Sequence, residues 1–317
     1  MKLGEIYELA VRLGVQADPR GEEAVRRVLA EDQKKYNEMK EKERQEFDLE
    51  RLANPYSDSR ILNGEKDREV NSILAGIDIE VGEVLLADRL RERGQAVDLL
   101  LAHHPEGKAL AALHDVMHVQ EDILAELGVP INVAEGIMAP RIGEVHRGLM
   151  PLNHDRTVDA ARLLDIPLMC IHTPADNLVT GYLQDLLEKR NPSTVGELMD
   201  TLKEIPEYAR AMEINAGPQV VVGSKDRRVG KVFVDMTGGT SGSEDAYAKL
   251  VQAGVGTIVT MHISDKHRKE AEKNHINVVI AGHIASDSLG MNLLLDQIAK
   301  QGVQVKTCSG LYRVNRE

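Results

Sequence analysis

From residue 71 onward, short apolar runs alternate with segments of helical periodicity, and this alternation restricts the chain to few folds. The runs SILAGID, AVDLLLA and IPLMCI have the length and composition of strands, and helical segments such as GEVLLADRLRER lie between them. Strands that are apolar along their whole length are buried on both faces. We therefore predict an α/β fold with largely parallel sheets covered by helices.

A second series of the same kind follows a helical stretch that Pro206 interrupts. Its apolar runs are PQVVVG, KVFVDMT, GTIVTMHI, INVVIAG and VQVKTC. The break near residues 190–217 indicates two α/β layers. We predict a first α/β domain over residues 56–190, with a helical insertion at about 109–164, and a second over residues 191–317.

Residues 1–55 have a different character. A short amphipathic segment that contains Leu3, Ile6 and Leu13 precedes a highly charged run that continues to Pro55. The apolar positions in this run are sparse, as in a helix that is solvated or that packs on a partner subunit. We predict a charged helical extension at the N-terminus and leave these two alternatives open.

Composition and charge exclude several classes of protein. The net charge of −12 repels phosphate backbones, which argues against generic nucleic-acid binding. No apolar stretch approaches the roughly 18 residues that span a bilayer, and the N-terminus lacks the pattern of a secretion signal. The two cysteines are far apart, which argues against disulfides and thiolate-bound metals. We expect a cytoplasmic protein without membrane association.

Histidine and aspartate residues follow three of the predicted strands. His103 and His104 come directly after AVDLLLA, Asp176 follows IPLMCI, and His283 and Asp287 follow INVVIAG. Ligands of open α/β sheets gather at the carboxyl ends of the strands. Pro105 ends the first of these strands, so that both neighbouring imidazoles can turn toward one crevice. His283 and Asp287 share one face if their turn is helical.

Each of these residues also has an ordinary structural explanation. One of the paired histidines can be packed and the other exposed, Asp176 can cap the helix NLVTGYLQDLLEKR, and Asp287 can favour a helix start by its charge. As a set, imidazoles and carboxylates without thiolate suit Zn²⁺, Mn²⁺ or Fe²⁺. The set exceeds the needs of one tetrahedral ion, so we predict two divalent ions about 3.5 Å apart.

A glycine-rich turn follows the run KVFVDMT and precedes a helical segment. Free backbone N–H groups in such a turn can bind an anion, and the alternative is a tight turn with a serine cap. The turn lacks the lysine and the spacing of a P-loop. The candidate anion-binding residues are Gly238, Gly239, Thr240, Ser241 and Gly242.

The motifs LLLAHHP, IHTPAD, VDMTGGTSGSEDA and VVIAGHIASDSLG occur here in the order seen in the NGG-interacting-factor-three family, which the chain resembles over about residues 56–317. Members are also described as dinuclear-metal-centre hexameric proteins and as type-two relatives of GTP cyclohydrolase I. The resemblance implies a homohexamer and a turn at 238–243 beside the metals. The metal ligands that it implies are His103, His104, Asp176, His283 and Asp287.

Two further histidines are candidates for a catalytic or orienting role. His267 matches a histidine that is common at the edge of the family's pocket, and His172 precedes the ligand Asp176 in the IHTPAD motif. The chain also departs from the family pattern. Asp287 stands where the family usually has glutamate, the insertion at 109–164 adds helices that can cover the pocket, and residues 1–55 have no counterpart.

The leading functional hypothesis is a metal-dependent hydrolase that attacks a small anionic substrate through a metal-activated water, with a nucleotide-like molecule as one option. GTP ring opening is a narrower version that rests on the family name. The alternative is a non-catalytic regulatory or assembly protein, in which the ions stabilise the fold or the binding of a partner.

Overall fold

The first of two sheets in the computed structural model, which describes residues 1–316, contains five strands. They are β1 (Arg60–Asn63), β2 (Ser72–Gly76), β3 (Leu99–Ala102), β4 (Leu168–Cys170) and β9 (Gln304–Cys308). Their order is β1-β4-β3-β2-β9, and only the edge strand β1 is antiparallel to its neighbour. The runs predicted as parallel strands, which are apolar and buried, form the centre of this sheet.

The second sheet has four strands and the same arrangement of directions. They are β5 (Gln219–Val222), β6 (Lys231–Asp235), β7 (Val255–Thr260) and β8 (Asn277–Ile280). Their order is β5-β8-β7-β6, and again only the edge strand β5 runs antiparallel to its neighbour. The predicted α/β class with largely parallel sheets covered by helices is confirmed.

Fifteen α-helices lie in the part of the chain that the structure describes. Five of them come from the segment predicted as an insertion, and the last of these five, α9, leads into β4. In chain order the helices are α1 (Leu3–Gln16), α2 (Glu22–Glu38), α3 (Glu41–Glu46), α4 (Val81–Glu92), α5 (Gly107–Ala111), α6 (Leu113–Val116), α7 (His118–Leu127), α8 (Ile131–Leu149), α9 (Arg156–Leu163), α10 (Thr173–Arg190), α11 (Val195–Lys203), α12 (Pro206–Glu213), α13 (Ala246–Gln252), α14 (Asp265–Lys273) and α15 (His283–Ala299).

Two helices, α10 and α15, pack against each other between the sheets. Met291 and Leu294 of α15 belong to the apolar core on the first sheet, whereas Leu289 of α15 and Val179 of α10 belong to the core on the second. The outer face of the first sheet is covered by α4 and α9, and that of the second by α7, α8, α13 and α14. Both central helices begin directly after a strand, which brings their N-terminal turns to the strand ends.

The predicted helical extension consists of α1, α2, α3 and a 3-10 helix at Leu49–Leu52. The amphipathic face of α1 is buried in the first core, where Leu3, Ile6 and Tyr7 pack. In α2 only Val25 and Asp32 are buried, as expected for a charged surface helix. The extension is thus anchored by α1, and α2 offers a charged face to solvent.

The last strand joins the first sheet, although its apolar run follows the second series in the sequence. VQVKTC follows the second series in the sequence, but β9 pairs in parallel with β2 of the first sheet. Helix α15 therefore connects the two sheets, and the limits of the two predicted domains stay predictions. No helix of residues 1–316 is long and apolar enough to cross a membrane.

Candidate metal centre

The paired histidines follow β3 and turn into one crevice. The backbone N–H groups of His103 and His104 donate to the carbonyls of Gly76 and Ile77, which continues the parallel pairing with the β2 edge. The two ring centroids are 5.2 Å apart. His103 is buried and His104 is partly exposed, so the pair leads from the interior of the molecule to its surface.

Asp176 lies in the first turn of α10, and its position excludes one explanation left open by the sequence. The helix begins at Thr173 with His172 as its N-cap, so Asp176 is inside the helix and does not cap it. The predicted capping role of Asp176 is therefore wrong. Its Oδ1 lies 3.5 Å from Nε2 of His103.

His283 and Asp287 lie one helical turn apart at the start of α15, as the i, i+4 spacing predicts for a helix. Oδ2 of Asp287 is 3.5 Å from Nε2 of His283 and 3.4 Å from Nε2 of His104. Oδ1 of Asp287 is 3.5 Å from Nε2 of His103. With Asp176 opposite the same His103 nitrogen, all five predicted side chains meet at one place.

Several atoms at this meeting point are buried without a hydrogen-bond partner. They are Nε2 of His103, Oδ1 of Asp176 and both carboxylate oxygens of Asp287. Nδ1 of His103 lies 3.1 Å from the carbonyl oxygen of Ile171, which only accepts, so this nitrogen carries the proton and Nε2 keeps its lone pair. Buried lone pairs that face each other without a proton between them are unfavourable unless a cation joins them.

The ligand-type atoms form three groups, each with its atoms within 4.8 Å of one another. The groups are His103, His104 and His172; His104, His283 and Asp287; and His103, Asp176 and Asp287. The second and third share only Asp287. Candidate metal-binding clusters of histidine and aspartate are therefore present at the ends of β3, β4 and β8.

The protonation of this cluster follows from burial and neighbouring charges. Burial lowers the pKa of His103 to about 4, despite the opposing effect of Asp287. The pKa of Asp287 is lowered, because the nearby His103 and His104 outweigh its burial. An uncharged His103 beside an ionised Asp287 is the protonation state that a cation requires of its ligands.

Two aspartates that the sequence analysis missed orient the histidines from behind. Oδ1 of Asp78 is 2.6 Å from Nδ1 of His104, and Oδ2 of Asp58 is 2.8 Å from Nδ1 of His172. The hydroxyl of Thr173 also donates to Asp58. A carboxylate behind an imidazole fixes its tautomer and makes the opposite nitrogen more basic. Both acids lie close to a strand end in the sequence, which is the one signal that points to them.

The His172 ring lies in a more negatively charged environment than the other histidine rings of the cluster. Its Nδ1 contacts Asp58, and its Nε2 lies 3.8 Å from Oδ2 of Asp176. Burial alone lowers the pKa of His172, but Asp176 and Asp58 together raise it to about 9. In the absence of a metal cation, the ring is therefore doubly protonated and positively charged near neutral pH. It holds the additional proton next to the candidate ligands.

A cavity of about 100 Å³ extends from this cluster along the outer face of the second sheet. His172, Asp176 and His283 line one part of it, and helices α7 and α8 contribute Ile123 and Met138 to another part. The segment predicted as a pocket-covering insertion thus lines the cavity. His262, which the sequence analysis did not select, also lines it, with its ring centroid 5.0 Å from that of His283.

The glycine-rich turn of residues 238–242 forms another wall of the cavity. The side-chain amide of Gln120 donates to the carbonyls of Gly238 and Thr240, at 2.6 and 2.7 Å, and Arg141 donates to that of Ser241. Because the C=O and N–H of a trans peptide point in opposite directions, the N–H groups that follow these carbonyls face away from Gln120 and Arg141. Gly238 has a φ of 97°, which favours glycine.

His267 contacts the same turn. Its Nε2 lies 3.1 Å from the carbonyl oxygen of Gly242, and its Nδ1 lies 2.6 Å from the hydroxyl oxygen of Ser264. Ser264 in turn caps α14. Both ring nitrogens of His267 therefore have a structural partner, and the ring fixes the turn against the start of α14.

The family model described as Duf34/NIF3 (NGG1p interacting factor 3) matches residues 152–310, half of the 317-residue chain. The chain belongs to the Duf34/NIF3 family. The resemblance predicted from the motifs is thereby confirmed. A search of curated proteins finds no match.

Solved structures agree with this assignment. The chain is similar to a NIF3 superfamily protein from Sphaerobacter thermophilus, with 28% identity, a TM-score of 0.70, and coverage of 80% of this chain and 92% of the other. It also shares its fold with reduced HcgD from Methanocaldococcus jannaschii, with 18% identity, a TM-score of 0.52, and coverage of 85% and 97%.

The Duf34/NIF3 match and the geometry describe different parts of the centre. The matched residues include Asp176, the 238–242 turn, His283 and Asp287, whereas His103 and His104 precede them. The distances between His103 and both aspartates join the paired histidines to the matched part. The full candidate centre therefore combines residues inside and outside the matched segment.

Proposed function

We propose that this Duf34/NIF3 protein binds two divalent ions, of Zn, Mn or Fe, and hydrolyses a small anionic substrate at them. The observation that supports this most is the sharing of Asp287 between two ligand groups. Its Oδ1 faces His103, which belongs with Asp176, and its Oδ2 faces His104 and His283. A carboxylate that presents one oxygen to each of two ligand sets is suited to bridge two cations.

The residues present fit such ions in chemistry as well as in number. Imidazole nitrogens and carboxylate oxygens are ligands of Zn²⁺, Mn²⁺ and Fe²⁺. Cations would satisfy the unpaired atoms of His103, Asp176 and Asp287, which have no other partner. Asp78 would keep Nε2 of His104 available by accepting the proton of Nδ1.

Bound ions of this kind supply an electrophilic centre that lowers the pKa of a water toward neutrality. The protein's own part is to orient the reactants and to move a proton. His172 lies beside Asp176 and lines the cavity, and in this proposal it donates a proton to the leaving group. The N–H groups of the 238–242 turn are suited to bind an anionic group of the substrate, and a nucleotide-like molecule offers one.

A non-catalytic role in regulation or assembly is the second candidate. The charged, largely exposed face of α2 favours it, because this face adds surface for a partner and lies outside the cavity. In that case the ions would stabilise the fold or the contact with the partner. The family resemblance also supports a homohexamer, and we propose that assembly for either function.

The metal content of single variants tests the proposed centre. We expect about two ions per chain in the wild type, about one in Asp176→Asn and in His283→Ala, and nearly none in Asp287→Asn, since Asp287 belongs to both groups. Asp226→Asn is the control, because Asp226 is exposed in the turn between β5 and β6. Equal metal content in all four variants would contradict the shared-carboxylate arrangement.

A substrate panel distinguishes the enzyme from the assembly protein. Metal-loaded protein is assayed with phosphoesters, nucleotides and cyclic amidines, the last including GTP ring opening. Loss of hydrolysis in Asp287→Asn with unchanged circular dichroism and mass supports the enzyme. Loss of the assembly in that variant, with no hydrolysis of the panel by metal-loaded wild type, supports the structural role.

A further inference from the structure

Asp235 is a carboxylate in the cavity that the metal centre does not use. It is the last residue of β6, where successive side chains point to opposite faces of the sheet. Val234 and Met236 pack toward the central helices, whereas Phe233 packs among the apolar side chains on the outer face of the second sheet. Asp235 lies on the side of Phe233 and lines the cavity.

The cavity that Asp235 lines is of mixed character, with apolar side chains and Tyr247 in one part and His262, His267 and several hydroxyl groups in another. The charge of Asp235 adds to burial in raising the pKa of Tyr247, so this phenol lies near the carboxylate. Phe233, Tyr247, Leu250 and Ile258 line the same cavity. Within residues 1–316, no side chain donates a hydrogen bond to Asp235 or forms an ion pair with it, and no lysine or arginine lines the cavity. A half-buried carboxylate without a partner is unfavourable, and a ligand that donates to it recovers the lost solvation.

We propose that Asp235 recognises a nitrogen group that donates hydrogen bonds, such as an amidinium or a primary amine, on the substrate of this site. An apolar, flat portion of the same substrate packs among Phe233, Tyr247 and Ile258. The substrate class is therefore an amphipathic molecule that bears an N–H donor at the end bound by Asp235. This inference rests on the proposed function only in taking the cavity as the substrate pocket.

The two ends of the cavity favour groups of opposite charge on the substrate. Cations held by Asp176 and His283 would attract an anionic group, while Asp235 repels one. Burial raises the pKa of Asp235 to about 6, so it is ionised at pH 8 and accepts from a donor there. A substrate with a donor at one end and an anionic group at the other is complementary to both.

Benzamidine is a suitable probe, because it joins an amidinium to a flat apolar ring. Its binding to the full-length protein at pH 8 is followed by ligand-observed NMR, with benzyl alcohol as a neutral probe of similar shape. We expect Asp235→Asn to weaken benzamidine binding by about tenfold or more, since a charge-assisted hydrogen bond is lost. Binding of benzyl alcohol should stay within about twofold of wild type.

Asp226→Asn makes the same chemical change on the surface and should leave both affinities unchanged. Asp235→Leu, an apolar variant of similar size, gives a second measurement should the amide fold poorly. Unchanged benzamidine binding in folded Asp235→Asn, or a wild type that binds benzoate more tightly than benzamidine after chelation, overturns the inference.

Running the titration before and after chelation separates this inference from the proposed function. Asp235-dependent benzamidine binding in a protein that takes up no metal supports the inference and counts against the hydrolase. Metal loading and hydrolysis, together with benzamidine affinity that is the same in Asp235→Asn as in wild type, support the hydrolase and overturn the inference.

Discussion

At the scale of single residues, His104 depends on a neighbour that does not touch its metal-facing nitrogen. Asp78 lies 2.6 Å from Nδ1 of His104, and the opposite Nε2 faces Asp287. The carboxylate holds the proton on Nδ1 and thereby directs the lone pair of Nε2 into the centre. Asp78 is exposed, so the ring is oriented from the solvent side.

We expect Asp78→Asn to lower the affinity for divalent metal by about tenfold to a hundredfold without unfolding the protein. The amide can donate to Nδ1, which favours the wrong tautomer of His104. Competition with a fluorescent chelator measures the affinity, and Asp226→Asn serves as the control. An affinity equal to that of wild type would show that Asp78 does not orient the ring.

Asp235 supports a prediction on stability against pH. Its folded pKa is about 6, raised by burial, whereas an unfolded aspartate titrates near about 3.9. The folded state thus holds the proton more tightly, and this stabilisation is complete below about pH 4 and is lost as the pH rises through about 6. His262, His267 and Tyr247 also line the cavity, and all three are present in both wild type and variant.

Asp235→Asn should therefore be more stable than wild type by about 1–3 kcal/mol at pH 8, with a difference near zero at pH 4. The free energy of unfolding in urea at both values gives the comparison. A difference that stays constant between the two pH values would mean that the carboxylate is solvated in the folded protein.

At the scale of elements, the centre depends on the contact between α10 and α15. A Cβ on Gly290 would lie 2.3 Å from the carbonyl oxygen of Ala175, so the two helices meet there with no room for a side chain. Ala175 precedes Asp176, and Gly290 lies one turn beyond Asp287. The close contact thus sets the distance between the two carboxylates.

Gly290→Ala should push the helices apart, lower the free energy of unfolding by about 1–3 kcal/mol and weaken metal binding. Gly136→Ala in α8 is the matched control, because nothing lies within 4 Å of its added Cβ. This control should be neutral or stabilising by up to about 1 kcal/mol, from helix propensity alone. Equal effects of the two variants on unfolding and on metal affinity would refute the role given to the helix contact.

At the scale of the whole molecule, the sequence predicts the positions of strands, which depend on local patterns. It does not predict strand pairings that depend on where a connecting helix leads the chain. The apolar runs locate β2, β3 and β8 because burial on both faces leaves a clear pattern. The pairing of β9 with β2 depends on where α15 leads the chain, and no local pattern encodes that. Aspartate is usually a surface residue, so a local pattern gives little reason to select Asp58, Asp78 or Asp235. Only the fold shows that they contact a histidine ring or line the cavity.

The proposed hexamer is tested directly by light scattering on the metal-loaded protein. We expect a mass of about six times the 35.0 kDa of one chain, as the family resemblance implies. Repeating the measurement after chelation shows whether the ions support the assembly. A mass of one chain at micromolar concentration would contradict the hexamer and leave the metal centre as a property of the single chain.

The last prediction concerns metal and the stability of the whole chain. The candidate ligands come from the end of β3 and from both central helices, so a bound ion joins elements of both cores. Ions that bind only the folded state stabilise it by about 2.7 kcal/mol at a hundredfold excess over Kd. We therefore expect Zn²⁺ or Mn²⁺ to raise the melting temperature of chelated wild type in a concentration-dependent way. Asp287→Asn should show almost none of this increase, while Asp226→Asn should show all of it. An equal increase in the Asp287 variant would place the stabilising ions elsewhere on this acidic chain.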